Sequence, residues 1–562
     1  MTFVSRGLSR SVRPRFGVES LEDRRLLTVA LQPLPNLTLA QDSPMQTIDL
    51  NQTFFDNATG QSDLSFTAQS DNTALAQTSV DSSGALSIAL TPAASGFARV
   101  MLTAKAPDGS EALDTFRVQV TAAADRSLDV ALGPGQSQLR YVMANHTAAT
   151  ITLTGPGTGT VHLGGDNLAQ VGNRVRGANQ AVESITLTGT TAATQLTITG
   201  ITAKRGTVFA DVGHITSDGA LGAIRIKHLF MDGDLNLAGG ARLMNIDGAR
   251  SGTMTLGQSI GPVSLTINSI VDENFSTPAP VSQVRGGAWF STDSDPETFK
   301  AAYLGQVLTT SHFDVGVQLS GDGAPARLIN SFNVRGEIGG TWNVPGASAP
   351  LAFGGSTFDW NATFGGSLSS INDRGNLAGS LTAPSIGSIR VRGMMTNAVL
   401  GLTGTGGTDL GNLQVTSGII NSTIDSAGDL GPIRAEALQG SLVFAGVGTV
   451  ASGQTLPSAA SDLSATATIK SITLVPRANV VGYLNSDIAA SNVGILSLGT
   501  TKIDNGGMPF GIAGTSIARI SMRDLTTHHA ITINNVHDAA TVAAQIAALG
   551  FSLQDLNIRI LS

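Results

Sequence analysis

The hexapeptide Ile386-Gly387-Ser388-Ile389-Arg390-Val391 has a pattern that returns at residues 410–415 and 430–435. Each copy has an apolar residue, a glycine, a variable residue and then an apolar–polar–apolar triplet. The copies start 24 and 20 residues apart, and a repeat of about 20–50 residues is typical of a solenoid or an array. Short strands that stack the apolar residues of successive triplets inward predict a right-handed parallel β-helix.

Related copies extend this prediction along most of the chain. They occur at residues 221–226, 260–265, 493–498 and 516–522. One coil cannot bury its own apolar face, so neighbouring coils must cover it. We therefore predict a β-solenoid over residues 125–537. An array of separate sandwich modules is the alternative, but its expected repeat of about 90–100 residues is not visible after residue 125.

The composition favours strands. Charged residues make up only 13% of the 562 residues, and there are 66 glycines. Exposed helix faces normally carry many more charged side chains. The absence of cysteine excludes disulfides, thiolate metal sites and a cysteine nucleophile. No apolar run approaches the roughly 18 residues of a spanning helix, so we predict no membrane span.

Residues 33–122 have the features of a single β-sandwich. Phe116, Val118 and Val120 alternate with Arg117 and Gln119, which predicts a strand with one buried and one exposed face. Turn sequences separate such runs at the short spacing expected of a sandwich.

This segment resembles the cadherin-like repeats of bacterial proteins. The resemblance rests on residues 48–50 followed by 54–56, and then on 107–109 and 114–116. In that family an acidic turn often binds calcium, which needs six to eight oxygen ligands. Here the candidate acids are few, so we expect ordinary turn residues rather than a metal site. They are Asp56, Asp63, Asp108 and Asp114.

Residues 1–32 differ from the rest of the chain. Residues 1–30 hold six arginines and three acidic residues, a net charge of +3. Because the whole chain has a net charge of −8, the remaining residues have a net charge of −11. An acidic body argues against a nucleic-acid partner, because phosphate binding needs clustered basic residues. Residues 21–28 resemble the Leu-Glu-x-Arg-x-Leu-Leu-Ser motif of planctomycete surface and exported proteins. Leu21, Glu22, Arg24, Leu26 and Leu27 match, whereas Asp23 stands where proline is frequent and Thr28 replaces serine. The resemblance implies export to the cell surface or exterior.

Two segments break the coil rhythm. Residues 271–312, with their prolines, Trp289 and an acidic run at 293–297, predict an insertion loop. Residues 538–549 predict the one helix, with Asp538 as N-cap and Gly550 as stop. A strand at 556–560 follows, so residues 538–562 are expected to cap the last coil.

A search for chemistry finds no active site in the sequence. The middle residue of each triplet should point outward, and none is acidic: Arg225, Ser264, Arg390, Gln414, Arg434, Ser497 and Ser521. The carboxylates lie in turns at no common offset, where solvation in loops explains them: Asp232, Asp234, Asp247, Asp322, Asp373, Asp425 and Asp429. His528 and His529 would point to opposite faces of a strand. We therefore predict no catalytic residue, no cofactor and no metal ligand.

The sequence thus predicts an all-β, non-enzymatic, extracellular or cell-surface protein of structural or adhesin-like function. It comprises a cadherin- or Ig-like sandwich, a parallel β-helix and a short C-terminal capping helix. Extracellular glycans or other envelope proteins are the expected partners. Two alternatives remain open: a polysaccharide-active β-helix lyase or hydrolase, and a calcium-dependent glycan-binding protein.

Overall fold

The computed structural model describes residues 29–31, 34–56, 64–107, 109–143, 147–201, 211–258, 261–292, 296–357, 359–404, 407–448, 450, 454–477, 480–550 and 552–562. Most of the export segment, residues 57–63 of the acidic turn, Asp108 and residues 293–295 lie outside these ranges. Strands account for 62% and helix for 4% of the structure. The predicted all-β class with one short helix near the C-terminus is therefore confirmed.

The N-terminal unit, residues 29–121, consists of a four-stranded sheet in the order β2-β9-β8-β5, a three-stranded sheet in the order β3-β7-β6, and a β1–β4 pair. Leu86 and Ile88 of one sheet share a hydrophobic cluster with Val100 and Phe116 of the other. The strands are β1 (Val29–Leu31), β2 (Leu37–Ala40), β3 (Gln46–Asp49), β4 (Phe54–Asp56), β5 (Ser65–Ser70), β6 (Ala76–Val80), β7 (Ala85–Leu90), β8 (Gly96–Lys105) and β9 (Glu111–Thr121).

A single large sheet begins after residue 126 with mainly antiparallel pairings. Val130 and Val161 pair across β10 and β13, and Val161 pairs with Ile185 of β14. These first strands are β10 (Ser127–Leu132), β11 (Gln138–Val142), β12 (Ala148–Thr154), β13 (Thr158–Val171), β14 (Arg174–Thr188) and β15 (Gln195–Ile201).

From β16 to β48 every pairing between named strands is parallel within the described residues. We call this part, residues 211–524, the coil stack, where a coil is the stretch of chain between two register-paired strands. Its strands are β16 (Asp211–Ser217), β17 (Leu221–Met231), β18 (Leu235–Leu237), β19 (Ala241–Leu256), β20 (Val263–Ser276), β21 (Val281–Phe290), β22 (Thr298–Ala301), β23 (Leu304–Thr309), β24 (Phe313–Asp314), β25 (Gly316–Leu319), β26 (Ile329–Val334), β27 (Glu337–Gly339), β28 (Thr341–Val344), β29 (Leu351–Phe353), β30 (Gly355–Ser356), β31 (Asn361–Phe364), β32 (Ile371–Asp373), β33 (Leu377–Ala383), β34 (Ile389–Val391), β35 (Met395–Leu402), β36 (Thr408–Leu410), β37 (Leu413–Val415), β38 (Gly418–Ile420), β39 (Thr423–Ser426), β40 (Asp429–Ala435), β41 (Ala437–Gln439), β42 (Leu442–Ala445), β43 (Thr468–Leu474), β44 (Tyr483–Leu484), β45 (Asp487–Ala490), β46 (Asn492–Thr501), β47 (Phe510–Gly514) and β48 (Ser516–Asp524).

Two long ladders of buried residues run through the stack in register. Members of both belong to one hydrophobic cluster, so each coil is covered by its neighbours. The first ladder contains Leu196, Ile224, Met244, Leu265, Val284, Val307, Phe332, Leu351, Ile371, Ile389, Leu413, Ile433, Ile472, Leu496 and Ile520. The second contains Ile215, Leu235, Met254, Phe275, Phe299, Val317, Trp342, Ala362, Leu381, Leu400, Ile424, Val443, Ile488 and Ile512.

The equivalences read from the repeat agree with this register. Ile386 bridges Leu410, Leu410 pairs with Leu430, and Val493 pairs with Ile517. The copy at 260–265 was placed wrongly, because Arg225 pairs through Asn245 with Thr266 rather than aligning with Ser264. A shift of two residues keeps the same side chains on the same face. The alternation of apolar and polar residues therefore could not reveal the shift.

The predicted insertion at 271–312 is wrong. Residues 263–276, 281–290, 298–301 and 304–309 are strands of the stack, and Trp289 and Phe299 are buried and pack edge to face at 5.3 Å. Aromatic side chains here fill the interior in place of aliphatic ones, which disguised the repeat.

The true departure from the rhythm lies between β42 and β43. Residues 446–467 contain a short 3-10 turn, Ala460–Asp462, and a bridge between Val447 and Leu463. Leu456 of this segment packs with Phe444, Ala489 and Ala513. The segment therefore covers an apolar strip on the outer side of the second ladder.

The C-terminal elements agree with the sequence prediction in place and type. β49 (Ala530–Val536) is antiparallel to β48, α1 spans Ala539–Ala548, and β50 (Leu556–Ile560) pairs with β47. The Asp538 carboxylate accepts a hydrogen bond from the Thr541 N–H at 2.7 Å, and Gly550 has a φ of +74°. Both ends of the helix are thus set by the residues expected to cap it.

Phe299→Ala tests the corrected position of residues 271–312. Loss of a buried ring leaves a cavity, so we expect the free energy of unfolding to fall by about 3–5 kcal/mol. The control Val475→Ala removes a side chain that is 51% exposed and should change it by less than about 0.5 kcal/mol. Chemical denaturation measures both. Equal effects would mean that Phe299 lies in a loop, as the sequence had indicated.

Candidate functional site

The outward triplet residues form a continuous outer column along the first ladder. Arg390 is the register partner of Gln414, which pairs with Arg434. The column continues through Thr473, Ser497 and Ser521. None of these six is buried, whereas the residues on either side of each one are. The outward direction predicted for Arg390, Gln414, Arg434, Ser497 and Ser521 is confirmed, and the register adds Thr473.

The turn carboxylates have a role that the sequence did not reveal. Asp247 accepts a hydrogen bond from the His228 N–H at 2.7 Å, Asp234 from the Thr253 N–H at 3.1 Å and Asp429 from the Thr468 N–H at 2.7 Å. The bonded partners lie on neighbouring coils. These acids satisfy backbone donors that a turn leaves unpaired, so loop solvation alone was the wrong explanation for them.

The four acids considered as candidate calcium ligands, and expected to be ordinary turn residues, are only partly described. Asp114 is fully buried, and its Oδ2 accepts a hydrogen bond from the Leu34 N–H at 3.0 Å. Burial raises the pKa of Asp114, against the hydrogen bonds from Leu34 and Thr115. Asp63 and Asp108 lie outside the described ranges. Among the residues that the structure describes, no three His, Asp or Glu side chains are grouped so that they could hold a metal ion.

A buried seam of charged groups joins the N-terminal unit to the coil stack. Arg117 and Gln119, expected to face solvent, are only 6% and 7% exposed. The Arg117 guanidinium donates to the carbonyl oxygens of Asp232 at 2.9 Å and Ser251 at 3.0 Å. It also lies 3.4 Å from the Asp234 carboxylate. The alternation at 116–120 predicted the strand correctly. It could not predict that the coil stack covers the face of this strand that carries Arg117 and Gln119.

A second arginine and a histidine extend the seam. Arg99 forms an ion pair with Asp272 at 2.9 Å. His214 lies 2.7 Å from the Gln119 Oε1 through its Nε2, while its Nδ1 accepts a hydrogen bond from the Asp234 N–H at 3.0 Å.

Two carboxyl groups in the seam have opposite pKa shifts. Burial alone would raise the pKa of Asp234, but a hydrogen bond with His214 and the charge of Arg117 outweigh it and lower the pKa to about 2. Glu273 is fully buried, and burial together with the Asp234 charge raises its pKa well above the usual value. Glu273 Oε2 still accepts a hydrogen bond from the Gly252 N–H at 3.0 Å. The seam therefore holds its arginines against acids and carbonyl oxygens of the protein itself.

No family profile matches this chain. A search of curated proteins finds no similar sequence. Within the described residues, no helix has the length and apolar character needed to cross a membrane.

Arg117→Leu tests the seam. It would leave two buried carbonyl oxygens and Asp234 without their partner. We therefore expect the free energy of opening at the β9 amides to fall by about 3 kcal/mol. Hydrogen exchange measures this loss. Lys105→Leu on β8 is the control, because its ion pair with Glu111 is exposed and should contribute at most about 1 kcal/mol. Similar losses in both variants would contradict a seam held by Arg117.

Glu273→Gln tests the buried carboxyl group. A carboxyl group with a raised pKa contributes stability below its unfolded pKa and loses it as the pH rises through the folded value. The stability of the variant relative to the unaltered protein should therefore rise between pH 4.5 and pH 8. Urea denaturation at both pH values measures the difference. A difference independent of pH, or one that falls, would contradict the raised pKa.

Proposed function

We propose that this chain is a non-enzymatic, exported surface or secreted protein that presents a rigid β surface for adhesion or for building the cell envelope. In this proposal, residues 33–122 are a cadherin-like β-sandwich. The coil stack with its antiparallel start is a parallel β-solenoid, and α1 with β50 caps it.

The outer column carries the proposal. It presents Arg, Gln, Thr and Ser side chains at successive rungs, and the residues that flank each rung are buried. A hydrolytic site on such a face would need a pair of carboxylates at suitable separation. The acids beside this face have partners in the protein itself: Asp373 accepts a hydrogen bond from the Gly375 N–H, Asp429 accepts one from the Thr468 N–H, and Glu436 pairs with Arg477. Repeated polar groups on a rigid backbone suit the binding of an extended ligand along several rungs rather than catalysis at a single site.

Export is supported by the motif at 21–28 and by the lack of cysteine. A cysteine-free chain built from stacked coils needs no disulfide for its stability and carries no thiol that an oxidising exterior would modify.

A glycan array tests the function. The purified chain should be applied with calcium and again with a chelator, and each bound glycan then assayed for cleavage. We expect binding without new reducing or unsaturated ends, unchanged by the chelator. Cleavage would overturn the non-enzymatic proposal, and binding that disappears with the chelator would favour a calcium-dependent module instead.

Surface labelling of intact producing cells tests the location. An impermeant amine-reactive reagent should modify the chain before lysis. Modification only after lysis would overturn the proposed localisation.

A further inference from the structure

We infer that one face of the coil stack binds a linear polysaccharide carrying carboxylate or sulfate groups, through six arginines that we call the basic strip. This inference rests on the proposed function and names the class of glycan that the surface takes. The strip consists of Arg374, Arg390, Arg392, Arg434, Arg519 and Arg523.

Register places these arginines on one face. Arg390 and Arg434 occupy the outer column two rungs apart, with Gln414 between them. Arg374 and Arg392 follow the paired residues Asp373 and Val391, so they lie on adjacent coils.

At the other end, Arg519 and Arg523 lie two residues before and after Ser521, which continues the same column. Residues two apart on a strand share a face. Parallel strands lie about 4.8 Å apart, so the strip from Arg374 to Arg523 extends over about 30 Å.

The strip differs from the seam in having no counter-charge. All six arginines are exposed, and within the described residues none has a carboxylate within 4 Å. The Arg374 guanidinium donates only to Asn333 Oδ1, at 3.1 Å. Nearby Arg477 has Glu436 at 3.4 Å, and Arg99, Arg117 and Arg250 of the N-terminal half all have acidic partners. Other exposed arginines also lack an ion pair, so what distinguishes the strip is that register aligns its cations along one face of a chain of net charge −8.

The face also carries two shallow, open depressions. A depression of about 360 Å³ includes Ser497, Ser521 and Arg523 in its lining. Another of about 250 Å³ includes Gln414 and Arg434. Both follow the outer column, so an extended chain lying along the column would enter both depressions.

The side chains indicate the ligand chemistry. A guanidinium binds a carboxylate or a sulfate through two parallel hydrogen bonds. The hydroxyls of Thr473, Ser497 and Ser521 and the amide of Gln414 suit the hydroxyls of a sugar, and the rung spacing is close to the length of one sugar unit. Nucleic acid is a poorer fit, because single strands bind through aromatic side chains on which the bases stack. The strip and its outer column contain none.

The test compares two variants of the full chain by isothermal titration. The strip variant carries Arg390→Gln, Arg392→Gln and Arg434→Gln. The control carries Arg140→Gln, Arg174→Gln and Arg176→Gln, three exposed arginines near the antiparallel start with the same change of charge. The probes are polygalacturonate and chondroitin sulfate oligomers, with dextran and single-stranded DNA for comparison. Equal melting temperatures of the variants confirm that both are folded.

We expect the strip variant to bind one of the two acidic oligomers at least about tenfold more weakly, with less than a twofold change in the control. Dextran should not compete. Equal weakening in both variants, no binding of either acidic oligomer, or tighter binding of DNA than of both would overturn the inference. Those results would leave the adhesin-like function standing if the array still shows neutral glycans bound without cleavage. Cleavage of a bound oligomer would instead refute the proposed function, whether or not the strip binds it.

Discussion

The structure depends on the in-register pairing of each coil with the next. A strand of three or four residues buries too little apolar surface to persist alone, and its backbone donors and acceptors need partners on both sides. Parallel pairing at every rung supplies both at once, because identical inward positions then meet, such as Ile389, Leu413 and Ile433. The outward positions are fixed by the same register. The polar outer column is thus a consequence of the interior.

The sequence predicted this architecture where local pattern and pairing coincide. The triplets beginning at Ile389, Leu413 and Ile433 each follow a glycine two residues earlier, have inward aliphatic residues and recur after 24 and 20 residues, so their alignment was correct. The pattern failed where the interior changed its chemistry. Trp289 and Phe299 occupy inward positions of ordinary strands, but next to prolines and acids they suggested a loop. Conversely, residues 446–467 are rich in small residues and resembled coil material, although they form the real excursion.

Contacts distant in sequence could not be predicted. Arg117 binds groups 115 and 134 residues away, and nothing in its neighbours distinguishes it from an arginine in water. The same limit applies to the candidate site. Five of the six outer-column residues were predicted to point outward. Thr473, and the alignment of the column with the other strip arginines, required the register. The seam arginines are buried against acidic residues, whereas the strip arginines are exposed and have no acidic partner within the described residues. These two environments of arginine look identical in the sequence.

Engineered disulfides test the register most directly, since the chain has no cysteine of its own. Gln414 and Arg434 are paired on adjacent strands, about 4.8 Å apart, which is within the range for a disulfide. Gln414 and Thr473 are separated by two rungs, about 10 Å. Mild oxidation followed by mass mapping should therefore cross-link Gln414→Cys with Arg434→Cys, and leave Gln414→Cys with Thr473→Cys as free thiols. A cross-link in the second pair, or its absence in the first, would contradict the stacked register on which the surface depends.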